Sequence, residues 1–263
     1  MKFFDTHAHY TDSRFTEEFD GGVDALLKEV FASDVKYIVN TATNNENALE
    51  VAKMAAKYNN MFATAGIHPE DCVHLTGDVD SEIKTLASLL DRKNELKIVA
   101  LGEIGLDYYW DQEHKELQKE YFNRQLELAC DYALPVVIHD REAHGDIFET
   151  LIKYPNLKGV LHSFSGSPEM ALELIKRGWY ISFSGVVSFK NSRKTKEVAA
   201  AIPRDRILIE TDAPYLAPHP MRGKLNRSDY LPFTLKAIAE ARGEDEEALA
   251  ETIFANSLNF FDK

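Results

Sequence analysis

The stretch Ile98–Gly102 reads IVALG, a short apolar run without polar alternation. Runs of this length and composition are typical of parallel strands buried on both faces of a sheet. Because parallel strands need long crossover connections, such a run also predicts helices before and after it. Seven more runs of this kind occur, and we predict a strand for each: Phe3–Thr6, Tyr37–Thr41, Phe62–Ile67, Pro135–Ile138, Gly159–Leu161, Tyr180–Phe183 and Ile207–Ile209.

Longer amphipathic stretches lie between these runs and predict helices, because their apolar residues recur at helical spacing. Strand–helix alternation indicates parallel strands with right-handed crossovers. Eight such units in 263 residues fit a (β/α)8 TIM-type barrel, which typically has about 250 residues. We predict this α/β fold as a single domain over residues 1–263. A doubly wound open sheet is the alternative, although no G-x-G-x-x-G follows the first strand. The clearest predicted helices are Asn47–Lys57, Ser81–Asp91, Leu117–Ala129, Glu142–Lys153, Pro168–Arg177, Tyr230–Ala241 and Asp245–Phe260.

The overall composition limits the classes of function. The chain has 43 acidic and 30 basic residues, for a formal net charge of −13. This balance argues against broad, non-specific coating of nucleic acid. Two cysteines cannot form a disulfide framework, and no stretch approaches the roughly 20 apolar residues of a membrane span. We therefore expect a cytoplasmic protein without a signal peptide, a membrane contact or an obligate protein partner.

Histidines and acidic residues follow several predicted strands, where the carboxyl ends of barrel strands meet and active sites are built. Imidazoles and carboxylates suit divalent ions such as Zn, Mn or Mg. Six ligands are too many for one tetrahedral zinc but suit two ions about 3.5–4 Å apart, and Glu103 is the natural bridge. We therefore predict two divalent ions per chain, held by His7, His9, Glu103, His139, His162 and Asp212.

The ordered series of motifs resembles that of TatD-family metal-dependent deoxyribonucleases, which are similar to the amidohydrolase superfamily. The motifs are Asp5–His9, Gly66–Pro69, Gly102–Asp107, Ile138–Arg141, His162–Gly166 and Glu210–Leu216. The resemblance implies a distorted (β/α)8 barrel and a divalent-metal phosphodiesterase that acts transiently on DNA.

Residue by residue, the resemblance implies that His7 and His9 hold one ion with Asp212. It implies that His139 and His162 hold the other ion, that Glu103 bridges the two, and that His68 lies near the scissile phosphate. Ser163 stands where many relatives have Cys, and that position is not a ligand.

Three residues are the expected catalytic groups. Asp212 is the candidate to orient the attacking water, and Glu103 shares the metals. His68 could donate to the phosphate oxygens or protonate the leaving group. Glu210 and Asp107 are candidates for carboxylates that orient the ligand histidines.

A basic segment is expected to hold the substrate. Residues 190–227 contain nine basic and four acidic residues, although the whole chain is acidic. We expect Arg222, Lys224 and Asn226 to contact substrate phosphates, with Arg141 reaching in from the fifth strand. The aromatic run Tyr108–Trp110 is expected either to stack on bases or to pack in the protein.

Other functions remain open at this point. A hydrolase of small amides or esters would use the same barrel, and a D-aminoacyl-tRNA deacylase would keep the same site. Some such relatives use a carboxylated lysine where Glu103 stands, which favours the nuclease branch. A non-catalytic metal-binding protein is the remaining alternative, and the intact ligand set argues against it.

Overall fold

The computed structural model describes residues Met1–Lys263, in which eight β-strands alternate with α-helices. The strands are β1 Phe3–Ala8, β2 Val35–Asn40, β3 Met61–Ala65, β4 Ile98–Asp107, β5 Val136–Arg141, β6 Gly159–Leu161, β7 Tyr180–Phe183 and β8 Ile207–Ile209. The helices are α1 Arg14–Glu17, α2 Gly22–Ala32, α3 Asn45–Ala56, α4 Val79–Leu90, α5 Lys115–Asp131, α6 His144–Leu151, α7 Pro168–Ile175, α8 Arg193–Ala201, α9 Leu231–Arg242 and α10 Glu246–Phe261.

The strands follow one another in the sheet in the order β1 to β8. The β1–β2, β3–β4, β4–β5, β5–β6 and β7–β8 pairs are all parallel. This order, with a helix in each long crossover, is that of the (β/α)8 TIM-type fold. The predicted fold class is confirmed, and the open-sheet alternative is wrong.

Strand β4 is longer than its apolar run predicted. It continues past Gly102 because pairing with β5 resumes after a register shift and runs from Ile104 to Asp107. Gly105 permits this approach, since it has φ 149° and a side chain there would collide with the carbonyl of His139. Glu103 therefore lies within the strand and not beyond its end.

Three helices were missing from the prediction, namely α1, α2 and α8. The first has only four residues, which is too short for a periodic signal. The second begins directly after Gly21, a residue type that usually breaks helices. The third buries only Val198 and Ala199, so its apolar stripe is too narrow to stand out.

The chain packs as two compact units. The first unit comprises Met1–Asn40, His162–Ile175 and Tyr180–Lys263, and the second comprises Thr41–Leu161 and Lys176–Trp179. The single domain over residues 1–263 stays a prediction. None of the helices combines the length and apolar composition needed to cross a membrane.

Each unit has its own apolar packing. In the first unit, the ring of Phe4 on β1 lies 5.5 Å from that of Phe261 on α10, so the last helix covers the first strand. In the second unit, Ile67, Ile83 and Tyr121 form a buried cluster. These contacts fix the backbone from which the polar side chains described next project.

Candidate metal centre

A first group of metal-ligating atoms lies in the first unit, on His7, His9 and Asp212. The Nε2 atoms of the two histidines are 3.0 Å apart, and Asp212 Oδ1 lies 3.3 Å from His9 Nε2 and 3.7 Å from His7 Nε2. Ligands about 2.1 Å from one ion are roughly 3.0 Å apart at a right angle and roughly 3.4 Å apart at the tetrahedral angle. The three atoms therefore have the spacing of ligands to a single ion.

The main chain builds this group by joining the end of β1 to the segment after β8. The amide of His9 donates to the carbonyl of Ala213 at 2.6 Å, and the amide of Asp212 donates to the carbonyl of His7 at 2.9 Å. Asp212 has the left-handed φ of 57°, and its carboxylate faces the histidines of β1. The sequence expectation that His7 and His9 point to the same side is confirmed.

The charge state of Asp212 fits a metal ligand. Burial alone would raise the pKa of Asp212, but its hydrogen bond with His9 and the attraction of the imidazoles of His9, His7 and His162 outweigh burial. The pKa of Asp212 is consequently lowered from its ordinary value. The carboxyl group is therefore ionised at neutral pH and can bind a cation.

His162 completes the histidine group of the first unit. Its ring stacks on that of His7, with centroids 4.2 Å apart and 11° between the planes. Its Nδ1 lies 3.1 Å from Glu210 Oε1, which also accepts a hydrogen bond from the amide of Ser163 at 2.8 Å. A carboxylate can only accept, so the proton of His162 is on Nδ1 and its Nε2 carries a lone pair. Glu210 thus contacts the histidine that it was predicted to orient.

A second group lies in the second unit, on His68, Glu103 and His139. In the neutral ring, His139 Nε2 donates to Asp107 Oδ2 at 2.9 Å and Nδ1 carries a lone pair. That nitrogen lies 2.8 Å from Glu103 Oε1, an atom that also only accepts. Two acceptors this close repel each other unless a proton on Nδ1 or a bound cation lies between them, so the neutral ring has room for a cation at that position. Glu103 and a neutral His139 therefore fit a divalent ion, and Asp107 contacts the histidine that it was predicted to orient.

Asp107 is held firmly in this orienting position. Its side chain is fully buried, and its Oδ1 accepts the amides of Tyr109 and Trp110, both at 2.9 Å. Burial by itself would raise the pKa of Asp107, but the hydrogen bonds from His139 and from the two amides lower it below its ordinary value. An ionised Asp107 keeps the His139 proton on Nε2 and the lone pair on Nδ1.

His68 has the opposite arrangement of donor and acceptor. The amide of Glu70 donates to His68 Nδ1 at 3.2 Å, so the proton of the neutral ring is on Nε2. This Nε2 faces Glu103 Oε1 at 3.5 Å. Within the second group, His68 is thus arranged as a hydrogen-bond donor, whereas His139 directs a lone pair at Glu103.

Two buried glutamines of α5 position this second group, and the sequence analysis missed both. Gln118 accepts from the amide of Asp107 and donates to its carbonyl, at 2.9 and 3.0 Å. Gln125 makes the same pair of bonds to Ile67, which precedes His68, at 2.7 and 3.0 Å. They are seven residues apart, or about two helical turns, so both face the strands. Glutamines at this spacing beside an apolar helical stripe were the available signal.

The basic loop after β8 borders a cavity of about 390 Å³ in the first unit. Arg222 and Lys224 line this cavity, as does Arg14 of α1, which the sequence analysis missed together with its short helix. The guanidinium of Arg222 lies 3.8 Å over the ring of Phe189, and that of Arg14 lies 4.2 Å over the ring of Tyr215. Three cations therefore border one cavity.

Asn226 has a different place from the one expected. It is fully buried, and its side-chain N–H groups donate to the carbonyls of Thr211 and Tyr215, at 2.8 and 2.6 Å. Both donors are used within the protein and no surface faces solvent. We therefore assign Asn226 to holding the loop in place and not to phosphate contact.

Arg141, the remaining predicted substrate contact, is exposed at the end of β5. Its guanidinium lies 4.2 Å from the ring centroid of Tyr109.

Comparison with known proteins identifies the family of the chain. A family model described as "TatD related DNase" matches residues 4–262. The chain belongs to the TatD family. An uncharacterized metal-dependent hydrolase of Bacillus subtilis is 38% identical over 261 residues, covering 98% of each chain. The 3'-5' ssDNA/RNA exonuclease TatD of Salmonella typhimurium is 33% identical, again covering 98% of each chain.

A solved structure shows the same fold in a TatD-family relative. The TatD homolog YJJV from Escherichia coli superposes with a TM-score of 0.90 at 30% identity, covering 99% of this chain and 98% of that chain. The sequence resemblance to the TatD family is confirmed. This chain is a metal-dependent hydrolase of that family.

Proposed function

We propose that this TatD-family hydrolase cleaves phosphodiester bonds in DNA. The observation that carries the proposal is the pair of metal-ligating groups, each containing a carboxylate oxygen within 3.3 Å of a histidine nitrogen. The family match, and a relative named as a 3'-5' ssDNA/RNA exonuclease, favour single-stranded ends as the substrate.

A bound divalent ion lowers the pKa of water towards about 7 and neutralises charge on a phosphate. The chain's own residues then have separate tasks. Asp212 is ionised and belongs to the first group, where it can accept a hydrogen bond from the attacking water and orient it. Glu103 and His139 hold the cation of the second group.

His68 supplies a hydrogen-bond donor to the phosphate. Its Nε2–H can stabilise the charge that develops on a non-bridging or leaving oxygen. The amide of Glu70 occupies Nδ1, so the ring does not need to rotate before it donates. This assignment makes His68 a catalytic residue without making it a metal ligand.

Arg222, Lys224 and Arg14 bind the phosphates on either side of the cleaved bond. They border one cavity next to the loop that follows Asp212. A few contacts of this kind suit an enzyme that holds a short length of strand and releases it, in agreement with the net charge of −13.

Two features of the sequence-based assignment stay predictions, namely the number of ions and the sharing of Glu103 between them. Metal content per chain tests both. Two ions in the wild type and a loss of more than one on Glu103→Ala would support a shared ligand. One ion in the wild type would refute the two-ion scheme.

The experiment for the function uses purified protein that has been stripped of metal and reloaded with Mg, Mn, Zn or Co. End-labelled single-stranded DNA, duplex DNA and RNA are offered in parallel. We expect shortening of the single strand from its 3' end, and loss of activity in Glu103→Ala and Asp212→Ala. Cleavage that survives both substitutions would refute the proposal, as would hydrolysis of no nucleic acid with any metal.

A further inference from the structure

Two large aromatic side chains are exposed close to the second metal-ligating group. The exposed fraction is 53% for Tyr109 and 61% for Trp110, higher than for the other exposed large hydrophobic residues. Their neighbour Tyr108 is only 8% exposed, and its hydroxyl donates to Asp146 at 2.6 Å. Tyr108 therefore packs in the protein, whereas the rings of Tyr109 and Trp110 are exposed to solvent.

The exposed rings form a surface together with one cation. The centroids of Tyr109 and Trp110 are 4.9 Å apart with their planes at 83°, and Arg141 lies 4.2 Å over the first ring and 5.4 Å from the second. We call Tyr109, Trp110 and Arg141 the aromatic platform. Aromatic rings combined with an arginine are the usual components of surfaces that bind single-stranded nucleic acid.

The aromatic platform is joined directly to the metal-ligating group. Asp107 Oδ1 accepts the backbone amides of both Tyr109 and Trp110, and its Oδ2 accepts the proton of His139. The amide of Tyr108 donates to the carbonyl of Arg141 at 2.9 Å, which holds the ends of β4 and β5 together. A group bound on the platform is therefore held in a set position relative to His139.

We propose that the aromatic platform binds one unpaired nucleobase of the substrate by stacking, with Arg141 contacting the adjoining phosphate. The proposal rests on the proposed nuclease function and explains how the enzyme would prefer a single strand to a duplex. In a duplex both faces of each internal base are already stacked, whereas an unpaired base has a face free for a tryptophan or tyrosine ring. Stacking on aromatic side chains tolerates all four bases, so the preference is for strandedness and not for sequence.

The two tryptophans of the chain make a direct test possible. Trp179 is 1% exposed, so Trp110 is the tryptophan that a ligand can reach. The metal-loaded protein, with Trp179→Phe to isolate the signal, is titrated with a phosphorothioate-linked single strand that resists hydrolysis. We expect quenching of Trp110 fluorescence by the single strand and little change with the corresponding blunt duplex.

Kinetics on unmodified DNA complete the test. Removal of one stacking contact weakens binding roughly 5- to 150-fold, so we expect Trp110→Ala to raise KM for single strands within this range and Trp110→Phe to restore most of the loss. Ile152→Ala is the matched control, because Ile152 is also exposed, at 41%. An abasic nucleotide moved along the strand should raise KM of the wild type at one position and have no further effect in Trp110→Ala.

The outcomes separate this proposal from the nuclease proposal. DNA cleavage with an unchanged KM in Trp110→Ala and no quenching would overturn the platform alone. Cleavage of no nucleic acid would overturn the nuclease function. Normal cleavage by Trp110→Ala combined with self-association that depends on Trp110 would assign the surface to a protein contact, which also overturns the platform.

Discussion

Replacement of Asp107 by Asn tests how the protein sets the ligand nitrogen of His139. The buried Asp107 carboxylate accepts the Nε2 proton of His139 at 2.9 Å, which leaves the Nδ1 lone pair facing Glu103. Asn can still accept the amides of Tyr109 and Trp110 through its oxygen. Its NH2 group would then face His139 Nε2 and favour the tautomer that carries the proton on Nδ1. That proton would occupy the position meant for the cation.

The expected loss of metal affinity follows from the hydrogen bond between Asp107 and His139. A hydrogen bond to a charged group contributes about 1.5–3 kcal/mol, and loss of a partner that orients a metal ligand typically lowers metal affinity about 10- to 100-fold. We therefore expect Asp107→Asn to bind metal about 10- to 100-fold more weakly at Glu103 and His139. The His7–His9–Asp212 group should be unaffected. Calorimetric titration of the stripped protein with Zn or Mn measures both affinities.

Asp111→Asn is the matched control for this prediction. Asp111 Oδ2 also lies 2.9 Å from a histidine nitrogen, that of His114, but this pair is on the surface and contacts neither metal-ligating group. The control should bind metal as the wild type does. Equal metal affinity in Asp107→Asn, Asp111→Asn and the wild type would refute the reasoning about the tautomer.

Three further predictions follow. His68→Asn keeps an acceptor for the Glu70 amide but has no donor at the position of His68 Nε2. We therefore expect kcat to fall about 100- to 1,000-fold with metal content unchanged, and His68→Gln to recover part of kcat. Loss of metal in either variant would make His68 a ligand. Arg222→Ala and Lys224→Ala should each raise KM for single-stranded DNA and reduce the slope of log KM against log salt by about 0.7, and an unchanged slope would mean that neither contacts phosphate. Burial raises the pKa of Cys72 to about 12, so at pH 8 a disulfide reagent should react quickly only with the exposed Cys130. A fast phase of thiol modification that persists in Cys130→Ser would contradict this.

Most strand positions could be read from the sequence because the signal is local. A short apolar run predicts a buried strand wherever it occurs, and β6, β7 and β8 begin and end at the predicted residues. The end of β4 could not be predicted, since it depends on pairing with β5 more than 30 residues away. Helix α8 was missed because only two of its residues are buried.

In the candidate site, too, some features could be predicted from the sequence and others depended on distant contacts. The i, i+2 spacing of His7 and His9 on a strand was enough to predict that their side chains point to the same side, and the types of residue predicted a divalent metal. Nothing in the sequence near Asn226 indicates that distant carbonyls use both of its donors. Likewise, the sequence left the role of Tyr108–Trp110 open, and only burial separates the packed ring from the exposed pair.

The sequence by itself determined the alternation of strands and helices, the family, and the types of metal-ligating residue, because periodicity and chemical type belong to the residues themselves. The tertiary structure decided the direction of each hydrogen bond. His68 and His139 have the same side chain, and as free residues they would have the same preference between the two tautomers of the ring. In the neutral rings, His68 becomes a donor because the amide of Glu70 faces its Nδ1, and His139 directs its Nδ1 lone pair at Glu103 because Asp107 takes its Nε2 proton. For His139 that partner is 32 residues away in the sequence, so only the fold could bring it there.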